Sequence, residues 1–358
     1  MRVAVLGANG QVGAELCLLL ARRPGIDVVP ISRSRMGSAF LRSQGVSCRH
    51  GQASESSEAA RLYGDCDVVV NLALLNALRN PRRARRENRA LIRKVPQCLG
   101  NRGRHLYFST MSVYGDAEVG ERWPIRHAYA RSKLESEKVA RQYGVRHGCP
   151  TYIFRLGHVC GELQGITKEI RDAIKRGPVA LPDPGRPSNT VHVATIVDAI
   201  VQAGSDRFAA GVYDLMNVPQ WSWREVFVHE AAQLGVPLEF RHVADRRPEG
   251  ARDVARRMLA VAMLSMGDSG LLRRVASRVL PSLPLPWYRR LKAMYAVRSA
   301  GRDIAGLRQP GTQVRAVFRK PVGDRFPDTL RPTQELLSDP GSQLELDGPR
   351  TPWPDDIP

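Results

Sequence analysis

The chain has 358 residues, 43% of them apolar, with 54 Lys or Arg against 35 Asp or Glu and a formal net charge of +19. That is long enough for a full hydrophobic core plus an appended region, and the apolar share excludes a wholly disordered chain. The charge predicts attraction to phosphates or anionic headgroups, while the lack of any nucleic-acid motif or aromatic stacking platform argues against nucleic acid as the partner.

The first residues are already strand-like (3–6) and lack the basic, apolar and small-residue succession of a secretory signal, so cytoplasmic residence is the expectation. Next comes Gly7-Ala8-Asn9-Gly10-Gln11-Val12-Gly13, which opens a helix over 14–22. A strand at 28–31 ends in Ser32 and Arg33, and another is predicted at 68–72. A helix over 90–99, a strand at 105–109, a helix holding residues 129–141, a strand at 151–155 and a helix near 195–202 follow. Short β-branched runs alternating with amphipathic stretches read as βαβ units, hence an α/β fold with a doubly wound parallel sheet of Rossmann type.

Residues 1–240 read as that unit, with substrate-binding elements from about 155 onward forming a smaller C-terminal substrate region. Residues 241–307 read as a basic, amphipathic helical extension, with 13 Lys or Arg against four Asp or Glu between 241 and 300. Residues 308–358 form a Pro/Gly-rich tail expected to be irregular. The six cysteines make no Cys-x-x-Cys pair and no cluster at zinc spacing, so neither a structural metal nor a disulfide framework is expected. No window reaches the roughly 18 uninterrupted apolar residues of a spanning helix, so any membrane association is peripheral.

Three glycines between a strand and a helix let backbone approach a pyrophosphate at the helix N-terminus, which points to a bound dinucleotide. An NAD site usually presents an acidic side chain at the end of the second strand. Here Ser32 and Arg33 stand there instead, and Arg33 or Arg35 suits a 2′-phosphate, so NADP is favoured over NAD. Tyr129 and Lys133 are four apart, and on a helix they share one face. A phenol with a pKa of about 10 needs a nearby positive charge before it exchanges protons near neutrality, and Lys133 supplies one.

Taken with Asp67-Val68-Val69-Val70-Asn71-Leu72-Ala73, Phe108-Ser109-Thr110-Met111-Ser112-Val113-Tyr114-Gly115, Glu137 and Phe154-Arg155-Leu156-Gly157, these motifs resemble the extended short-chain dehydrogenase/reductase family, in its NAD(P)-dependent epimerase/dehydratase branch. The resemblance covers about residues 1–240. It implies Thr110 as the hydroxyl that orients the reacting oxygen, with Ser109 as the adjacent candidate, Tyr129 as general acid/base beside the nicotinamide, and Lys133 as its activator, which also holds the nicotinamide ribose hydroxyls. It also implies Asn88 as the residue that positions active-site water and backbone, and Leu72 and Ala73 as the apolar wall beside the adenosine ribose and nicotinamide.

The substrate-facing positions depart from the family. His158 stands where nucleotide-sugar enzymes often carry Asn, Ser188 replaces the Arg expected four residues before His192, and Gln52 replaces an Asp at the end of the third strand. Arg186 is close enough to compensate, and His158 and His192 are expected to line or support the pocket.

The leading expectation is hydride transfer at a carbinol or carbonyl carbon of a nucleotide-linked sugar. A carbonyl reductase or alcohol dehydrogenase acting on a small or lipid-like molecule stays open. So does a non-catalytic cofactor-sensing protein, although Thr110, Tyr129 and Lys133 argue against it. Residues 241–300 suit either an anionic membrane surface or a cover over the substrate pocket, and the resemblance implies a homodimer.

Overall fold

Residues 3–6 and 68–70 are runs of β-branched and aliphatic side chains with no polar alternation, the pattern of strands covered on both faces. In the computed structural model they become β1 (Arg2–Leu6) and β4 (Val68–Asn71), in which Val3, Ala4, Val5, Val68, Val69 and Val70 have no exposed surface. The structure describes residues 1–74, 81–114, 124–181, 184–185, 187–218 and 220–241, together with short strands at 315–319 and 343–344.

The central sheet continues with β2 (Asp27–Ser32), β3 (Arg49–His50), β5 (Arg104–Thr110), β6 (Thr151–Leu156) and β10 (Val212–Val218). Seven strands run parallel in the order β3-β2-β1-β4-β5-β6-β10. The order reverses between β1 and β4, and in such sheets the crevice at the carboxyl ends of the strands at that point receives the ligand. The doubly wound parallel sheet expected from the sequence is therefore present.

Side chains alternate between two faces. Val3, Val5, Val68, Val70 and Phe108 pack under α1 (Gln11–Leu20) and α7 (Val193–Gly204), against Leu16, Leu20, Ile196 and Ile200. Ala4, Leu6 and Val69 pack on the other face against Leu62 and Tyr63 of α3 (Ser56–Tyr63) and Val95 and Leu99 of α4 (Pro81–Leu99). On that side α5 (Pro124–Arg146) sets Val139 and Ala140 on Tyr107 and Ile153.

A separate small core lies C-terminal to β6. It joins α6 (Gly165–Lys175) to α8 (Trp223–Leu234) through Ile170, Ile174, Val226 and Phe227. The start of α8 is written in a reciprocal cap in which the Ser222 hydroxyl accepts from the Glu225 amide and the Glu225 carboxylate accepts from the Ser222 amide. Gly235 ends the helix at φ 64°. Two short parallel pairs flank this lobe, β7 (His158–Cys160) with β9 (Thr190–His192), and β8 (Val179–Ala180) with β11 (Phe240–Arg241).

The structure differs from the expected elements in two places. The helix expected from residue 90 begins nine residues earlier, because the Arg-rich run 82–86 carries little apolar periodicity while Pro81 sits at the first helical position, where its fixed φ is favoured. In the tail, β12 (Arg315–Arg319) and β13 (Gln343–Leu344) add antiparallel strands beyond β10. The basic extension, including the expected membrane contact through 241–300, and the remainder of the tail lie outside the described residues. Among the described residues no helix is long and apolar enough to cross a membrane.

Candidate active site

The turn after β1 is shaped by contacts that leave no room for side chains. Gly7 has φ 87°, and a Cβ there would lie 2.9 Å from the Ala73 amide nitrogen. At Gly13 a Cβ would lie 2.3 Å from the Gly7 carbonyl oxygen and 3.0 Å from Ala8 Cα, so this helix start can close on the turn only with glycine. Gly10 is the N-cap of α1 and supplies no side-chain cap, and the first turn contains no acidic residue. The exposed helix start is thus an anion site in both hydrogen-bond donors and dipole.

A cleft runs from this turn across the ends of β1, β2 and β4. Gly7, Asn9, Gly10, Ser32, Arg33, Leu72, Ala73 and Asn88 all line it, together with Gln52. Most of the sequence-derived cofactor residues therefore converge, whereas Gln11, Val12 and Gly13, and Tyr129 and Lys133 further along the chain, do not line this cleft. Gln11 lies against Gly165, the first residue of α6. Ser32 is buried and donates to the Ser34 carbonyl at 2.9 Å, while the neighbouring Arg33 is exposed at the cleft. An exposed helix start opening on this cleft has the donors and the room that a dinucleotide needs.

The proton-transfer candidates lie along β5 and α5. Thr110, half-buried at the end of β5, donates to the Ser112 hydroxyl at 3.1 Å and accepts from the Ser112 amide at 3.2 Å. Tyr129 is 42% exposed on α5, and partial burial pushes its phenol above the ordinary value. Lys133, one turn on, is 5% exposed. Its ammonium donates to the Phe108 carbonyl at 2.7 Å and sits 5.0 Å from the centroid of the Tyr107 ring. Burial lowers its pKa to about 8, against the opposing pull of Glu137.

Beneath Lys133 lies a network the sequence reading did not assign. The Glu137 carboxylate is fully buried, accepts from the Ser109 hydroxyl, and accepts from Arg155 at 3.2 and 2.7 Å. Ser109 is thereby committed to Glu137, whereas Thr110 keeps the half-exposed position. The sequence signal was available: an arginine and a glutamate, each flanked by apolar residues of a predicted element, pair when both are buried.

The substrate candidates are more dispersed. His158 is exposed on β7 with its ring edge-on to Trp223, centroids 5.1 Å apart. His192 instead caps α7, its Nδ1 accepting from the Ala194 amide at 3.1 Å, and burial with the nearby His229 charge drives its pKa to about 3. Neither lines the cofactor cleft among the described residues. Ser188 is buried, its hydroxyl bonded to the Thr190 hydroxyl at 3.0 Å and donating to the Trp221 carbonyl at 2.7 Å. Arg186 lies outside the described residues. No group of three or more His, Cys, Asp or Glu able to hold a metal occurs among the described residues.

Comparison with known proteins agrees with this architecture. The chain is 26% identical over 293 residues to a UDP-2-acetamido-2,6-β-L-arabino-hexul-4-ose reductase of Pseudomonas aeruginosa, covering 79% of this chain and 65% of that protein. The chain thus spans just under two thirds of that relative's length. The fold is similar to that of a UDP-N-acetylglucosamine 4-epimerase from Bacillus cereus, with a TM-score of 0.54, 18% identity, and 68% of this chain and 85% of the other covered. A dTDP-glucose 4,6-dehydratase from Bacillus anthracis in complex with NAD gives a TM-score of 0.52 at 17% identity, over 69% and 87% of the two chains. A sequence profile matches from β1 through β10, residues 3–218, and so across every strand of the parallel sheet. On that match the chain belongs to the NAD dependent epimerase/dehydratase family.

Proposed function

We propose that the protein transfers hydride between a nicotinamide cofactor, with NADP preferred, and a carbinol or carbonyl carbon of a nucleotide-linked sugar. The observation that carries this reading is the ammonium of Lys133, held in a nearly dry position one helical turn from Tyr129 and anchored on the carbonyl just before Ser109 and Thr110. Burying an ammonium is costly unless its charge is used or paired. With a pKa of about 8 it is still charged at neutral pH.

Each residue has a defined task. Tyr129 exchanges a proton with the substrate oxygen; Lys133 stabilises the phenolate that this leaves; Thr110 donates to the same oxygen and fixes its place. Gly7, Gly10 and the first turn of α1 hold the pyrophosphate, and Leu72 and Ala73 exclude water from one side. The nicotinamide, when bound, supplies or accepts the hydride. NADP preference is supported by the missing carboxylate at Ser32 and by Arg33 standing exposed where a 2′-phosphate would be.

A sugar nucleotide as substrate is supported by the reductase and epimerase relatives, whose names state UDP-linked sugars. One observation favours a second reading, a carbonyl reductase: Ser188 is buried and bonded inward at the position where the resemblance implies a phosphate-binding arginine. A screen of nucleotide sugars and small ketones, recording product and net cofactor oxidation together, separates the two. Turnover of a nucleotide sugar is expected; turnover of ketones alone would replace the first reading with the second.

A further inference from the structure

Glu15 lies on α1 in the turn after Gly10 and is 1% exposed. An acid in the apolar face of a buried helix needs donors, and it finds three in one loop. Its carboxylate accepts from the backbone amides of Glu162 at 2.8 Å and Leu163 at 2.9 Å, and from the Gln164 side-chain amide at 2.7 Å. Gln164 also donates to the Gln11 carbonyl at 3.2 Å, in the first turn of the same helix. The approach is so close that a Cβ at Gly161 would lie 2.4 Å from the Glu15 carboxylate.

The loop is in turn wired into the substrate lobe. Gln164 is the N-cap of α6. The Glu162 carboxylate accepts from both terminal nitrogens of Arg171 at 2.8 and 2.6 Å, and the Arg171 Nε donates to Glu230 of α8 at 2.5 Å. A continuous polar chain therefore leads from the anion-binding turn of α1 to both helices of the second core.

We propose that Glu15 is a positioning residue that transmits occupancy of the cofactor cleft to the substrate lobe, by fastening the first turns of α1 to the loop 161–164 that starts α6. The inference rests on the cofactor-binding part of the proposed function. Bonds from amides to a buried carboxylate are short and charge-assisted, so a small settling of α1 onto a bound pyrophosphate moves the loop with it. Glutamine at 15 has the same size but only one acceptor atom, and its amide hydrogens face a group that is itself a donor.

The test is hydrogen exchange at the Glu162 and Leu163 amides of the full chain, with and without NADPH, while NADPH fluorescence reports binding in the same sample. In the wild type NADPH should slow their exchange on the order of tenfold, about the weight of one charge-assisted hydrogen bond. In Glu15→Gln these amides should exchange faster without cofactor and respond less than about twofold to bound NADPH. Should that variant fail to fold, Gln164→Met keeps the carboxylate and its two backbone donors but cuts the side-chain ties to both Glu15 and Gln11, and the NADPH response should fall at least about threefold. A wild type whose loop ignores bound NADPH, or a Glu15→Gln chain that responds as the wild type does, would overturn the proposal. Failure of the wild type to bind either NADPH or NADH would overturn the cofactor reading and this inference with it.

Discussion

Replacing Glu137 with Gln should cost about 3 kcal/mol of folding stability and shift the protonation of Lys133 at once. The Glu137 side chain is 0% exposed and that of Arg155 2%, so neither charge can turn to water when the other is lost. Removing one partner of such a pair costs roughly 3–5 kcal/mol, since a buried ion is left uncompensated. The lower end applies because Asp214 of β10, itself buried, is paired in register with Arg155 and remains beside it. Glu137 also holds the Lys133 ammonium up against the burial that lowers it. Without that carboxylate the pKa drops below about 8, less of the lysine is charged at pH 8, and the basic limb of the rate profile moves to lower pH. Urea unfolding of the full chain measures the first effect and the pH dependence of turnover the second. A double change of Glu137→Met with Arg155→Met should not recover the stability, because it takes the guanidinium away from the buried Asp214 carboxylate beside it. An unfolding free energy for Glu137→Gln within about 1 kcal/mol of the wild type would mean that the buried pair does not carry this weight.

Two further outcomes are expected. His105 is fully buried with neither ring nitrogen partnered, and burial holds its pKa at about 3 against an ordinary 6.5. The unfolded chain then binds a proton that the folded chain refuses, so stability is lost as pH falls below 6.5, by about 1.4 kcal/mol per unit for this one histidine. His105→Leu should remove that slope and gain about 2 kcal/mol at pH 5 relative to pH 7.5, and an unchanged slope in denaturation series would count against it. Arg33→Ala should lower the NADPH-over-NADH preference about tenfold in fluorescence titrations, the loss of one charge-assisted phosphate contact. If the preference stays as it was, Arg33 has no part in choosing the cofactor.

What the sequence revealed and what it hid divide along physical lines. The glycine turn, the strands around it and the Tyr129–Lys133 spacing were legible because each depends on local backbone demands or on helical period. Asn88 was found in the cleft even though its helix begins earlier than expected, since the position follows from β4 and β5 rather than from the helix boundary. His192 was harder: its residue type suggests pocket chemistry, while its place before α7 makes it a cap, and only the Ala194 amide decides between them. Glu15 and the Ser109–Glu137–Arg155 network depend on partners 18 to 149 positions away in the chain. Sequence pattern marks such residues as out of place in an apolar face but does not name what they hold.

In the proposed reaction Tyr129 moves the proton. Turnover of the sugar nucleotide identified by the substrate screen should be compared between the wild type and Tyr129→Phe, with NADPH affinity measured alongside. Removing only the phenolic oxygen should lower turnover by roughly 10²–10⁴-fold, the usual weight of a general acid/base, while NADPH affinity stays within about threefold. Turnover that persists near the wild-type rate in Tyr129→Phe, with NADPH bound as before, would contradict the account.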